Sequence, residues 1–362
     1  MRITKSLALS LLLFCTVTAS VRAQTYRVTD LGTLGGATSY PSDINIFGDV
    51  AGYSFPSGSD GYHAFLWTSH GGMQDLGTLG GDASFTYGLN NRGQAVGYSV
   101  LASAQGSDGF ISTKDGGMRA LGVLDFFTDC NYATAWSIND WGQVVGAANQ
   151  SPGIVAHAFL WSRAHGFEDL GSVGGSRSVA FSINNLGQVV GTSTTAGELS
   201  QHDFLWSRET GIQDVGTLGA GSIPTQINNR GEFVGSFTTS LGPSQSQHAY
   251  IWTAASGHVD LGTLSGSDSG AFGINDFNQV VGSSRLADNV TQHAFLWTAK
   301  TGMQDLNGHI DRHSHWVVQG GQAINNVGQI AAWGAKDGGP VHALLLTPYN
   351  EREKEHSEKD ER

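Results

Sequence analysis

The chain has 362 residues, of which 51 are glycine, 7 proline and 2 cysteine, with a formal net charge of −12. Charged residues make up only 14 % and aromatic residues 10 %, which excludes a disordered chain; no Gly-X-Y period exists, which excludes collagen, and the composition is not that of a long coiled coil. No basic stripe is present, so nucleic acid and anionic membrane surfaces are poor partners.

Residues 1–23 have the layout of an export signal. Arg2 and Lys5 form a basic start, an apolar stretch runs from Leu7 to Val17, and Val21-Arg22-Ala23 suits a signal peptidase. The apolar run is shorter than the roughly 20 residues a membrane helix needs, so no membrane insertion is expected. Cleavage would remove Cys15 and leave Cys130 alone, so no disulfide within the chain can hold the fold. It would also leave 16 basic against 31 acidic residues.

From residue 24 onward one motif is written seven times. Its first anchor is a run into Ile-Asn, a turn, and a Val-rich run: DINIFGDVAG (43–52), GLNNRGQAVG (88–97), SINDWGQVVG (137–146), SINNLGQVVG (182–191), QINNRGEFVG (226–235), GINDFNQVVG (273–282) and AINNVGQIAA (323–332). The marker asparagines are Asn45, Asn90, Asn139, Asn184, Asn228, Asn275 and Asn325. A second anchor is HAFLW (63–67, 157–161, 293–297), with variants HDFLW (202–206), HAYIW (248–252), HALLL (342–346) and the divergent DGFIS (108–112). A third is DLGTLGG (30–36, 75–81) and its variants. Each unit therefore holds four short strand candidates bounded by Gly, Asn, Asp or Ser. Four strands in about 45 residues is the period of a propeller blade. The expected fold is all-β, a seven-bladed β-propeller of four-stranded blades spanning 24–349, followed by a charged, disordered tail at 350–362.

The register also predicts the closure. The repeat begins with a fourth strand, YRVTDLG (26–32), and ends after a third, HALLLTP (342–348), so the N-terminal strand should complete the last blade. Three residues before each marker asparagine sit Ser42, Tyr87, Trp136, Phe181, Thr225, Phe272 and Gln322; two before it sit Asp43, Gly88, Ser137, Ser182, Gln226, Gly273 and Ala323. Strict alternation would put these columns on opposite faces, bulky against small, interlocking between blades.

The units resemble the HAF-family extracellular repeat, through HAF[LI]W and IN[ND]xGQVVG. The resemblance covers 25–348 and implies an exported bacterial repeat protein with a propeller-like fold, and almost nothing about activity.

Six histidines open third strands: His63, His157, His202, His248, His293 and His342. A third strand lies about 10 Å farther from the axis than a first strand, so these residues cannot converge on one metal ion, and a repeated structural hydrogen bond near a blade boundary is the better reading. Trp67, Trp161, Trp206, Trp252 and Trp297 belong to the blade core. The Asn-Asp-x-Gly turns lack the ligand pattern of calcium loops. Turns after first and third strands are alike, making one uniform rim; loops after second and fourth strands vary, and variable loops on a rigid scaffold are where binding is expected. Two connections stand out. Residues 123–136 carry Phe126, Phe127, Asp129 and Tyr132; residues 307–316 carry His309, Asp311, Arg312, His313, His315 and Trp316. These are the candidate ligand-binding residues: aromatics beside Asp and Arg suit sugars, and His313, His315 and Asp311 suit a transition metal or acid–base chemistry. No hydrolase, zinc-protease, phosphate-loop or dinucleotide motif is present. The expected protein is a monomeric, exported (extracellular or periplasmic), non-catalytic binding or scaffold propeller that uses the variable loop rim, without cofactor or resident metal. Its partner would be a glycan or an envelope protein. The second reading is a hydrolase or lyase at the channel mouth, metal-dependent in one version.

Overall fold

The computed structural model describes residues 24–102, 106–114, 116–122, 132–149, 156–198, 200–239 and 245–349. The expected signal and tail segments, with Phe126, Phe127 and Asp129, lie outside them. Seven blades of four antiparallel strands surround a central channel. Blade 1 comprises Gly35–Ile44, Val50–Pro56, His63–Thr68 and Gly72–Asp75, from the axis outward. The first strands of blades 2 to 6 are Gly80–Leu89, Tyr132–Ile138, Gly174–Ile183, Ser222–Ile227 and Ser269–Ile274. Blade 7 is Trp316–Ile324, Ile330–Lys336 and Val341–Tyr349, completed by Thr25–Asp30 from the other end of the chain. That last pairing runs antiparallel from Thr25↔Tyr349 to Asp30↔Leu344, so the ring closes as the register requires. The divergent DGFIS segment still forms the third strand of blade 2, with Phe110 fully buried. Among the described residues no helix is long and apolar enough to cross a membrane.

The blade core is made by alternation on the inner strands. Val189, Val190 and Phe204 are fully buried in blade 4, as Val280, Val281 and Phe295 are in blade 6. The marker asparagines are only 3–6 % exposed, and in blades 2 to 7 the side chain bonds through its oxygen and both amide hydrogens. Asn139 Oδ1 accepts from Trp141 N and Gln143 N, while its Nδ2 donates to Gln143 Oε1 and, across the blade boundary, to Asn184 O at 3.1 Å. The same cross-blade bond links Asn184 to Asn228, Asn228 to Asn275, Asn275 to Asn325, and Asn325 to Asn45. A side chain with both donor and acceptor is needed to close the turn and clasp the next blade at once.

The opposite-face expectation for the two columns fails, and the reason is local. Every first strand carries a β-bulge whose extra residue is the one three before the marker: Ser42, Tyr87, Trp136, Phe181, Thr225, Phe272 or Gln322. A bulge breaks the two-residue alternation, so neighbours turn to the same side. Trp136 with Ser137, and Phe181 with Ser182, line one channel together. The final glycine of each Val-Val-Gly run accommodates this. A Cβ on Gly191 would collide with the Val179 carbonyl and the Phe204 ring, and Gly52, Gly146 and Gly282 face the same obstruction. In blade 7, whose first strand has a second irregularity between Val318 and Gly320, Ala332 fills that position.

Candidate functional site

The third-strand histidines form within-blade bonds to the aspartate of the Asp-x-Gly motif, which is Asp-Leu-Asn (305–307) in blade 6. His63–Asp75, His157–Asp169, His202–Asp214 and His248–Asp260 all lie at 2.9 Å, His293–Asp305 at 2.7 Å and His342–Asp30 at 3.0 Å. The same carboxylates accept the backbone N–H of Gly32, Gly77, Gly171, Gly216 and Gly262. They staple third strand to fourth, inside the blade rather than at its boundary.

The histidine-rich connection of blade 6 to blade 7 is spread over the surface. His309 Nδ1 pairs with Gln24 O at 3.0 Å, His313 Nδ1 with Asp311 at 3.2 Å, and His315 Nδ1 with Asp337 at 2.9 Å. Asp311 also caps the short turn Arg312–Ser314 by accepting His313 N. Trp316 is half-buried against the blade 7 core, and Ile310 bridges to Tyr26 of the closing strand. Neither axial cavity is lined by any residue of this segment. Tyr132 begins the first strand of blade 3. Among the described residues no three His, Cys, Asp or Glu side chains are grouped to hold a metal ion.

The axis itself carries the concave sites. On the turn side a cavity of about 250 Å³ is ringed by the Asn-Asn and Asn-Asp turns. Here Asp140 is clasped by Asn91 N, Asn91 Nδ2 and Asn185 Nδ2 at 2.7–2.8 Å, and Asp276 by Asn229 N, Asn229 Nδ2 and Asn326 Nδ2 at 2.7–3.0 Å. Burial pushes the Asp276 carboxyl up, but these hydrogen bonds outweigh it and hold the group below its ordinary range. The turn tips are not uniform: Phe47, Trp141, Leu186, Phe277 and Val327 are 56–70 % exposed, and exposed Arg92 and Arg230 take the same position in blades 2 and 5.

On the loop side a cavity of about 320 Å³ is lined by the rings of Tyr53, Tyr87, Trp136, Phe181 and Phe272, each half-buried. The rings form a ladder: Tyr53 to Phe85 at 5.0 Å, Phe85 to Tyr98 at 5.1 Å, Tyr98 to Tyr87 at 5.9 Å, Tyr87 to Trp136 at 4.3 Å and Trp136 to Phe181 at 5.7 Å. Tyr62, at the end of the variable loop 55–62, touches it from outside, 5.2 Å from Tyr53. At the waist shared by both cavities sit Asp43, Ser137, Ser182 and Gln226. Burial pushes the Asp43 carboxyl up to about 7, against the lowering effect of bonds from Leu89 N and Ile44 N, both 2.8 Å. Burial likewise pushes the Tyr53 phenol up to about 12, so the ring stays neutral. The bulky column was visible in sequence, but its role in the channel depends on the bulge.

A family-model search finds no match, and no curated protein matches. Solved structures do. The β-propeller domain of the Trilobed protease from Pyrococcus furiosus is similar with a TM-score of 0.54 and 8 % identity, over 86 % of this chain and 97 % of that one. That domain has an open velcro topology, whereas here the terminal strands pair. TolB from Acinetobacter baumannii is similar at a TM-score of 0.48 and 10 % identity, over 84 % of this chain; the match spans 64 % of that protein's length. A gluconolactonase from Xanthomonas campestris gives a TM-score of 0.42 and 9 % identity, over 91 % and 96 % of the two chains. At these identities the likeness establishes the β-propeller fold and nothing more.

Proposed function

We propose that this chain is an exported, non-catalytic binding propeller that takes its ligand at the loop-side mouth of the channel. Export rests on the basic start, apolar run and small-residue site of residues 1–23. Binding rests chiefly on one observation: the bulge in the first strands turns a row of large rings into the axial cavity, on the rim where the loops vary. Five half-buried rings around an open cavity give a ligand apolar faces to stack on, while Gln226, Thr225, Gln322 and Asp43 supply polar contacts. The cavity of about 320 Å³ suits a small molecule or the end group of a larger one. The test is calorimetric titration of the folded protein with saccharides, organic cations and organic acids, repeated on Trp136→Ala. Saturable binding weakened by Trp136→Ala is expected. Absence of binding across the panel, or binding that Trp136→Ala leaves intact, overturns the assignment.

A further inference from the structure

The waist of the channel holds a charge that the fold does not require. In blades 3, 4 and 5 the residue two before the marker accepts a backbone N–H from the next blade through a neutral oxygen. Ser137 Oγ accepts from Ile183 N, Ser182 Oγ from Ile227 N, and Gln226 Oε1 from Ile274 N. Asp43 does the same for Leu89 N. A hydroxyl or an amide therefore suffices for the clasp, and a carboxylate carries a far larger desolvation cost at such a place. Among the described residues Asp43 has no cationic partner. No Lys, Arg or His lines either axial cavity, the titratable groups nearest in the lining being Tyr53 and Tyr87 on the loop side and Asp140 and Asp276 on the turn side.

Resting on the reading of the loop-side mouth as a ligand site, we infer that its ligand is a small organic cation, an alkylated ammonium, held between the aromatic rings with Asp43 as its counter-ion. Aromatic faces carry negative quadrupolar charge and attract a cation desolvated against them, and an alkylated ammonium also buries apolar surface there. The lining offers an anion no positive group, and a neutral sugar can donate hydrogen bonds to a carboxylate but leaves its charge unbalanced. Asp43 alone in its column is an ionisable group in this cavity.

Protonation adds a signature. Burial pushes the Asp43 carboxyl up to about 7, and only its ionised form is a counter-ion. Affinity for a cation should fall below that pH, approaching tenfold per unit, and level off above it. A neutral ligand would lack this slope.

The probes are choline and its uncharged carbon isostere, titrated calorimetrically at about pH 5 and about pH 8. The proteins are the wild type, Asp43→Ser, Asp43→Asn and Trp136→Ala, each checked for a native melting transition. Asp43→Ser copies blades 3 and 4 and keeps the clasp; Asp43→Asn serves if the serine variant misfolds. Expected are choline binding at least about tenfold tighter than the isostere at the higher pH, a loss of that preference and of the pH slope in the Asp43 variants, and weakening of both ligands by Trp136→Ala. Equal binding of choline and its isostere, or choline binding indifferent to Asp43, overturns the cation assignment while leaving the cavity a ligand site. Saccharide binding sensitive to Trp136→Ala and not to Asp43 does the same. Failure of every ligand, or indifference to Trp136→Ala, overturns the site itself.

Discussion

Asp203 interrupts the repeat, and its environment shows what that interruption costs. Its equivalents are Gly109 in blade 2 and Ala64, Ala158, Ala249, Ala294 and Ala343 in the others, all buried. Asp203 is itself 0 % exposed, and its Oδ2 accepts from Ser222 Oγ at 2.9 Å, Tyr250 OH at 2.7 Å and His258 Nε2 at 3.0 Å, while Oδ1 has no partner. Tyr250 and His258 are departures too, standing where blade 6 has Phe295 and Met303. Burial, then the neighbouring Asp203, pushes the Tyr250 phenol well above its ordinary value, so it remains a donor. The perturbation is Asp203→Ala. Ser222 keeps Thr217 Oγ1 at 2.9 Å, but Tyr250 OH and His258 Nε2 lose their acceptor in the core. At about 1–3 kcal/mol for each buried donor left unsatisfied, the single variant should lose roughly 2–6 kcal/mol. The triple variant Asp203→Ala, Tyr250→Phe, His258→Met copies the apolar solution and should return to within about 1 kcal/mol of wild type, because partners removed together leave nothing unsatisfied. Urea unfolding at neutral pH, across all combinations of the three changes, measures the coupling directly. A triple variant as unstable as the single one would refute this reasoning, as would an Asp203→Ala cost below about 0.5 kcal/mol.

Three further outcomes can be checked by the same unfolding measurements. Gly191→Ala should destabilise by about 1–3 kcal/mol or more, since the new Cβ meets the Val179 carbonyl and the Phe204 ring, whereas the reverse change Ala332→Gly in blade 7 should cost only about 0.5–1 kcal/mol. Tyr26→Phe should be neutral or stabilising, because the hydroxyl of this 1 % exposed residue in the closing strand is buried without a partner and burial has pushed its phenol up to about 12; Tyr26→Ala should cost about 3–5 kcal/mol and loosen the ring. Asp43 should make the unliganded protein less stable as pH rises. Its carboxyl keeps a proton to about 7 when folded but loses it near 3.8 when unfolded, so between these values the folded state binds more protons. The stability difference between Asp43→Ser and wild type should therefore shift in favour of the serine variant between about pH 4 and about pH 7, and thermal melting that shows no such shift would count against a raised Asp43.

The regular parts of the molecule were legible because they depend on counting. The spacing of the marker asparagines gave blade length, and an unpaired fourth strand at one end with an open blade at the other could only meet. The histidine pairs were legible as structural because equivalent positions in a ring diverge with radius; their partners were not, since a blade boundary and a third-to-fourth strand contact look alike in a repeat. What could not be read was any effect of a backbone irregularity. Alternation assigns Trp136 and Ser137 to opposite faces, and nothing in the tripeptide itself announces that the ladder slips there. The available signal lay on the partner strand, in a glycine recurring opposite the slip at Gly52, Gly97, Gly146, Gly191, Gly235 and Gly282.

Departures from the repeat differ in meaning. Where a blade changes a residue and its neighbours change to match, as at Asp203, Tyr250 and His258, the chemistry is closed within the core. The histidines at 309, 313 and 315 drew attention by composition, yet each takes a separate partner on the surface. Asp43 is the opposite case. It stands in a column of small or neutral residues, meets the same structural demand as Ser137, Ser182 and Gln226, and has a charge left over that no described residue balances. A bulge repeated around the ring brings large rings to the same cavity. The scaffold supplies the rings through a rule common to its blades, and a single exception to the neutral column supplies the charge. On the reading proposed above, selectivity rests on the residue two before the marker, since a carboxylate, a hydroxyl or an amide there keeps the clasp while changing the channel.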